Sequence, residues 1–278
     1  MSEEFQVTKH DPNKEKIMPI SEHLEELRGH IIRGVVAILL IAIVVFIFKD
    51  FVFNKIIFAP KEKWFFSNRI LCKLSKELHL NTCINKNSIK LINIDIAGQF
   101  TAHIKVSFIL GLIISFPYLL WEIWLFVKPA LHIKTRISIV RTMFFISLLF
   151  LIGVLFGYYV IVPLTLNFLT NYQVSSTLTN QIDFQSYISV VLTLSFSTGL
   201  VFELPILIYF LSKIGILNTD FLKKQRKIAI VLAFGLAAII TPPDAFSQIL
   251  VAIPLIILYE VGIAIAKAVE KKRTIIME

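Results

Sequence analysis

Six long stretches of apolar residues, separated by polar segments, organise the chain. They contain no charged residue and lie at 34–48, 106–121, 142–162, 184–202, 228–240 and 245–259. Beyond one charged residue each, the fourth continues to Leu211 and the sixth to Ala266. A helix needs about 20 residues to cross the ~30 Å apolar core of a bilayer. The pattern therefore predicts an all-α integral membrane protein with six transmembrane helices, of which the last two are short.

The composition favours the same class of protein. Of the 278 residues, 56% are hydrophobic and 17% are charged, whereas a soluble domain averages about 45–50% apolar and about 25% charged residues. A soluble enzyme is therefore disfavoured. The chain has no phosphate-binding loop and no G-x-S-x-G or H-E-x-x-H motif, so we expect no catalytic residue, no metal and no cofactor.

The basic residues predict how the helices are oriented. With both termini in the cytoplasm, the inner segments are the N-terminal tail, 122–141, 212–227 and 267–278, and they hold 17 of the 28 Lys and Arg residues. The short outer loops 163–186 and 241–247 hold none. The long outer loop 49–102 holds nine, but long loops cross a membrane largely regardless of charge. The net charge of +9 therefore indicates basic inner loops rather than nucleic-acid binding.

This orientation divides the chain into three parts. We expect a cytoplasmic tail with an acidic amphipathic helix at 1–30, a six-helix membrane domain at 31–267 and a cytoplasmic tail at 268–278. The first outer loop, 49–102, is long enough to form a small structure of its own. It contains both cysteines, Cys72 and Cys83, which on the oxidising side either form a disulfide or stay as thiols.

Glu203 is the most informative polar residue, because it lies inside the fourth apolar stretch. A charged side chain near the centre of a bilayer costs about 2.5–3.5 kcal/mol on insertion scales. Two interpretations remain open: a protonated carboxyl that is hydrogen-bonded between helices, or a polar pocket at membrane depth. Pro205, two residues later, predicts an interruption of the helix.

The segment Ser21–Arg28 predicts the start of a helix near the inner membrane surface. Ser21 can cap it, and Glu22 and Glu26 lie on one face. This acidic face is either a solvated surface or a site for a basic ligand, because carboxylates accept paired hydrogen bonds from guanidinium groups.

Several further motifs follow in order along the chain. They are Ser21–Arg28 with its H-L-x-E-L-R pattern, Phe116–Pro117, Trp124–Leu131, Phe202–Pro205, Thr241–Gln248, Ala252–Leu255 and Leu258–Glu260. Together they resemble the TatC family, the polytopic subunit of the twin-arginine protein translocase. The resemblance covers nearly the whole chain, from Ile20 to Lys267.

The resemblance implies a receptor and channel component of the bacterial cytoplasmic membrane. Such a protein binds signal peptides that carry an arginine pair and exports folded proteins with the proton-motive force. Its expected partners are single-span subunits of the TatA type, with or without a TatB type, and further copies of itself in a larger complex. A different class of protein, a proton-coupled secondary transporter of a small solute with Glu203 as its relay, is the alternative.

The motifs also carry over particular residues. The resemblance implies signal-peptide binding by Glu26, Arg28 and Phe126, and a partner-binding or polar pocket with Glu203 and Gln248. Structural turns are expected at Pro60, Pro129, Pro242 and Asp244.

One position departs from the family pattern. Many members have a glutamate just before an arginine in the first inner loop, where this chain has Thr135. Glu122 lies four residues before Phe126, on the same helical face. We therefore expect Glu26 and Glu122 to hold the arginine pair together, unless Glu122 instead pairs with Lys128 or Arg136.

Overall fold

The computed structural model describes residues 20–77, 90–127, 136–175, 180–241 and 245–277. Within these ranges the chain is almost entirely helical. Its α-helices are α1 Ile20–Ile47, α2 Lys49–Phe51, α3 Phe66–Glu77, α4 Gly98–Val127, α5 Arg136–Phe156, α6 Val162–Asn171, α7 Phe184–Phe202, α8 Leu204–Ile214, α9 Thr219–Lys224, α10 Arg226–Ile240 and α11 Ala245–Met277.

Short helical turns and two short strands lie between the α-helices. The wide π turns Val52–Ile57 and Gly157–Ile161 and the 3₁₀ turn Ala59–Lys61 interrupt or follow the helices. Two short strands, β1 Leu91–Ile92 and β2 Ile182–Asp183, form a parallel pair in which Leu91 lies opposite Ile182. This pair joins the connection before α4 to the connection before α7.

Five helical segments of the described chain are long and apolar enough to cross a membrane. They are Glu25–Ile47, Gly98–Phe126, Met143–Asn171, Phe184–Ile214 and Ala245–Lys271. The predicted fifth stretch, 228–240, forms α10, which has 15 residues and is about 22 Å long at 1.5 Å per residue. The structure therefore confirms a mostly helical chain with several candidate membrane spans, while the count of six and the orientation stay predictions.

The last helix corrects the sequence prediction. The sixth span was expected to be short, but α11 has 33 residues and its apolar segment runs from Ala245 to Lys271. The charged residue that limits the apolar stretch, Glu260, does not end the helix. It pairs with Arg226 at the start of α10, with 2.8 Å between Nη2 and Oε2.

The first helix also passes through a predicted boundary. The acidic segment and the first apolar stretch form one helix, α1, which continues without interruption across residues 30 and 31. The predicted interruption after α7 is present. Glu203 is the turn residue between α7 and α8, and its N–H donates to the carbonyl of Leu200 at 3.1 Å.

The core lies where the long helices cross. Helix α1 packs along α4, α5 packs along α7, and α8 and α10 pack against α11. At the crossing of α5 and α7, a Cβ atom built on Gly153 would lie 2.7 Å from the Cβ of Phe202 and 2.9 Å from the Cα of Gly199. Glycine is required there because the two backbones approach too closely for a side chain.

Tyrosine side chains fasten the connection between α1 and α4 to the bundle. The Tyr158 hydroxyl donates to the carbonyl of Ile56 at 2.6 Å, and the Tyr187 hydroxyl donates to the carbonyl of Ile57 at 2.8 Å. Cys72, in α3 of the same connection, is disulfide-bonded; Cys83 lies outside the described residues. The first predicted outer loop is therefore partly ordered into short helices packed on the membrane helices.

Candidate functional site

A buried carboxylate lies between the N-terminal part of α1 and the C-terminal part of α4. Glu122 of α4 contacts Tyr118, one turn earlier on the same helix, and His30 and Arg33 of α1. We call these four residues the Glu122 cluster. Helix α1 packs along α4, and the contacts with Glu122 place His30 and Arg33 on the side of α1 next to α4. The acidic and the two basic residues therefore meet only when the two helices pack together.

Both oxygens of the Glu122 carboxylate are hydrogen-bonded. The Tyr118 hydroxyl donates to Oε1 at 2.6 Å, while Oε2 lies 2.6 Å from His30 Nδ1 and accepts from Arg33 Nε at 3.1 Å. The exposed fractions of these side chains differ greatly: 7% for Glu122, 15% for His30 and 53% for Arg33. A buried carboxylate needs such partners, since an unpaired charge in the interior is costly.

The two contacts of His30 Nδ1 cannot both be hydrogen bonds. Nδ1 lies 2.6 Å from the Glu122 carboxylate and 2.8 Å from Arg33 Nη2. A ring nitrogen either carries a proton and donates, or lacks one and accepts. We assign the proton to Nδ1, because the contact with the carboxylate is the shorter of the two and a carboxylate can only accept. Arg33 Nη2 is a donor as well, so its contact with Nδ1 contributes no bond.

Glu26 and Phe126 flank this cluster. Glu26 precedes His30 by four residues and therefore lies one turn away on the same face of α1; its side chain is partly buried. The Phe126 ring lies 6.2 Å from the His30 ring in an edge-on arrangement. The structure thus brings three of the predicted signal-binding residues, Glu26, Glu122 and Phe126, to one end of the α1–α4 pair.

Arg28, the fourth of these residues, lies elsewhere on α1. Two helical positions correspond to a rotation of about 200°, so Arg28 faces away from Glu26, and it is exposed. Lys128 and Thr135 lie outside the described residues. The expected loss of the loop carboxylate, and the alternative pairing of Glu122 with Lys128 or Arg136, therefore stay predictions.

Glu203 and Gln248 lie in two different contacts of the bundle. Glu203 is partly buried, and its Oε1 atom is shielded from solvent without a hydrogen-bond partner among the described residues. Gln248, near the start of α11, donates from Nε2 to the carbonyl of Phe234 at 3.1 Å and so ties α11 to α10. No described contact joins the two residues, so the polar pocket stays a prediction.

Of the predicted structural turns, Pro60 falls within the described residues. It is buried in the 3₁₀ turn Ala59–Lys61, and its carbonyl accepts from Asn68 Nδ2 at 3.1 Å. Pro129, Pro242 and Asp244 lie outside the described residues.

The sequence did not single out His30, Arg33 or Tyr118. The spacing of Tyr118 and Glu122, four residues apart, is the local signal for their hydrogen bond. His30 and Arg33 are three residues apart and share a face with Glu26, which is the signal for a polar seam on α1. Neither spacing reveals that the polar side chains of α1 meet those of α4, because Glu122 lies 89 residues after Arg33.

The long apolar helices, with the Glu122 cluster buried between two of them, define a polytopic α-helical membrane protein. A family model described as "Sec-independent protein translocase protein (TatC)" matches residues 22–254. The chain therefore belongs to the TatC family of Sec-independent protein translocase components.

Individual relatives support this assignment. The Sec-independent protein translocase protein TatC of Blattabacterium sp. subsp. Periplaneta americana is 39% identical over 264 residues, which cover 94% of this chain and 99% of that protein. The protein of the same name from Carboxydothermus hydrogenoformans is 35% identical over 93% of this chain and 97% of its own length.

Solved structures agree with the fold. A crystal structure of the twin arginine translocase receptor TatC superposes with a TM-score of 0.69 at 32% identity and covers 89% of this chain and 99% of its own. A second structure of that receptor, in DDM, gives a TM-score of 0.71 and covers 88% of this chain. The resemblance found in the sequence motifs is confirmed.

Proposed function

We propose that this chain is the signal-peptide receptor and polytopic component of a twin-arginine translocase in the bacterial cytoplasmic membrane. It binds the arginine pair of a signal peptide at the cytoplasmic end of α1 and α4. Together with single-span subunits of the TatA type it then exports folded proteins, driven by the proton-motive force. It catalyses no reaction of its own.

The observation that carries this proposal is the position of the carboxylates. Glu122 is buried at one end of the α1–α4 pair, Glu26 lies on the adjoining face of α1, and Phe126 adds an aromatic surface beside them. Two guanidinium groups need carboxylates with fixed orientation, and an apolar surface suits the hydrophobic part of a signal peptide. The name of the similar solved structures, twin arginine translocase receptor, supports the same function.

We infer that the chain crosses the membrane six times, with α10 as the fifth span, and that both termini lie in the cytoplasm. Arg226 precedes the apolar part of α10, and the segment before it is rich in lysine, as expected for an inner loop. In this orientation the Glu122 cluster faces the cytoplasm, where a signal peptide arrives.

Complementation tests the function directly. A strain that lacks its own TatC subunit, but keeps the single-span subunits, would express this chain together with a folded fluorescent reporter behind an Arg-Arg signal. We expect the reporter in the periplasm. A reporter with a Gln-Gln signal should stay in the cytoplasm and controls for leakage.

Variants then separate the proposed site from the alternative transporter. Glu26→Gln and Glu122→Gln should each reduce export while membrane levels of the protein stay normal. If the parent chain reaches the membrane with its partners and exports neither reporter, the proposal is wrong.

A further inference from the structure

We propose that Arg33 is an internal competitor of the signal peptide. Its guanidinium bonds to the Glu122 oxygen that one arginine of the signal peptide would use, so binding exchanges one guanidinium for another. This inference rests on the proposed function and assigns a role to a residue that the family motifs do not contain.

The occupancy of Glu122 makes an exchange necessary. Oε1 is held by Tyr118 and Oε2 by His30 and Arg33, and the side chain is 7% exposed. A carboxylate has about four acceptor positions, and three are already in use at a site that solvent barely reaches. The one position left is too few for the two parallel hydrogen bonds of a guanidinium fork, so a peptide guanidinium has to take the place of one of the present partners.

Arg33 is the partner that can leave. Its side chain is half exposed, whereas that of His30 is mostly buried. It contributes one hydrogen bond, from Nε at 3.1 Å, while Tyr118 and His30 each donate at 2.6 Å. Its second contact, from Nη2 to His30 Nδ1, joins two N–H donors and therefore contributes no hydrogen bond. A long side chain of this kind can move its charged end into water at little cost.

The neighbouring residues explain what replaces it. Phe126 lies beside His30, and Glu26 lies one turn from His30 on the same face of α1. A peptide arginine that takes the Arg33 position would thus contact the His30 ring, whose other aromatic neighbour is Phe126. Glu26, seven residues or about two turns before Arg33 on α1, offers a carboxylate for the other arginine. Unlike Arg33, the peptide arginine is not part of α1, so its guanidinium group can turn to donate from both Nε and Nη to the carboxylate.

Peptide binding to the purified full-length chain in nanodiscs tests this exchange. The probe is a fluorescent signal peptide with an Arg-Arg pair, and the control peptide carries Gln-Gln at the same two positions. Arg33→Gln should bind the Arg-Arg peptide about fivefold more tightly, which corresponds to the roughly 1 kcal/mol of an exposed ion pair. Arg226→Gln is the matched control, since Arg226 also pairs with a glutamate at 2.8 Å and is about half exposed; it removes the same charge and should leave the affinity unchanged.

A double variant makes the test specific to Glu122. In a Glu122→Gln background, Arg33→Gln should no longer tighten binding. If Arg33→Gln elutes as an aggregate, Arg33→Met replaces it: methionine keeps an unbranched apolar stem but has neither the charge nor an N–H donor, so affinity should again rise above that of the parent.

The outcomes distinguish the two proposals. If the parent prefers the Arg-Arg peptide but neither Arg33 variant binds it more tightly, the exchange is wrong and the receptor function stands. Equal tightening by Arg226→Gln would also overturn the exchange, because the effect would then be one of net charge. If the parent binds the Arg-Arg and Gln-Gln peptides equally, both proposals fail.

Discussion

Replacing Glu122 by glutamine should destabilise the α1–α4 pair more than the same change at an exposed glutamate. Glutamine has the shape of glutamate, so the perturbation removes the charge and leaves the packing. Its carbonyl oxygen can accept from His30 and Arg33, and its NH₂ group can donate to the Tyr118 hydroxyl, which accepts as well as donates. Every contact therefore keeps a partner, and what is lost is the assistance of the charge.

The magnitude follows from the three bonds to the carboxylate. A hydrogen bond to a charged group contributes about 1.5–3 kcal/mol, and a neutral one is roughly half as strong. The two bonds at 2.6 Å, from Tyr118 and His30, would together lose about 1.5–3 kcal/mol. The contact with the half-exposed Arg33 adds little. Glutamine is also less costly to bury than a carboxylate, which leaves a net loss of about 1–2 kcal/mol.

Thermal unfolding of the detergent-purified protein measures this loss. A change of 1 kcal/mol shifts the Tm of a protein of roughly this size by about 2–4 °C, so Glu122→Gln should lower Tm by about 2–8 °C. Glu260→Gln is the matched control, because Glu260 also bonds to an arginine at 2.8 Å but is 47% exposed. It should cost about 1 kcal/mol or less.

Two results would refute this reasoning. If Glu260→Gln lowers Tm as much as Glu122→Gln, burial does not strengthen the interactions of the Glu122 cluster. If Glu122→Gln raises Tm, the free-energy cost of burying the carboxylate exceeds the stabilisation by its three hydrogen-bond partners. The Glu122 cluster would then lower the stability of the protein.

Three further changes test other parts of the molecule. Tyr187→Phe leaves the carbonyl of Ile57 without its donor at a buried site and should cost about 1–3 kcal/mol; limited proteolysis should cut the α1–α4 connection faster, and an unchanged cleavage rate would contradict the anchoring role. Gly153→Val should lower stability by about 1–3 kcal/mol through overpacking, whereas Gly235→Val, where a built Cβ has no neighbour within 4 Å, should leave Tm nearly unchanged; equal Tm shifts would argue against close packing of α5 on α7. Glu203→Ala should insert at normal levels yet impair export of the folded reporter, and full export would rule out a functional pocket at this residue.

The sequence predicts the helices of this fold well, for a simple physical reason. A span must contain many consecutive apolar residues, and that requirement is visible without tertiary information. The interruption at Glu203 was predictable too, because Pro205 acts on the adjacent backbone. The order of the family motifs then identified the class of protein, and through it the candidate residues Glu26, Phe126 and Gln248.

The sequence fails where a distant residue changes the energy of a local one. Glu260 ends the uncharged part of the sixth apolar stretch in the sequence. In the structure α11 continues through it, and Arg226, 34 residues away, lies beside it as a counter-charge. Glu122 likewise looked available as a ligand for arginine. In the structure it is satisfied by His30 and Arg33, which lie about 90 residues earlier. Pairings of this kind depend on how helices pack and cannot be read from spacing along one helix.

The short helix α10 has a mechanical consequence in the proposed topology. Its length of about 22 Å is less than the ~30 Å of a bilayer core, and a short span normally thins the bilayer or is masked by its neighbours. Helix α11 holds α10 at two levels, through the bond between Arg226 and Glu260 and through the bond from Gln248 to the carbonyl of Phe234. Because α11 is long enough to span, a shift of α10 towards either surface would break these two bonds. We therefore expect the difference in length to be met by the lipid or by a partner helix that lies beside α10. Large apolar side chains of α10 on the outside of the bundle, Val231 and Ile239 among them, are exposed and available for such a contact.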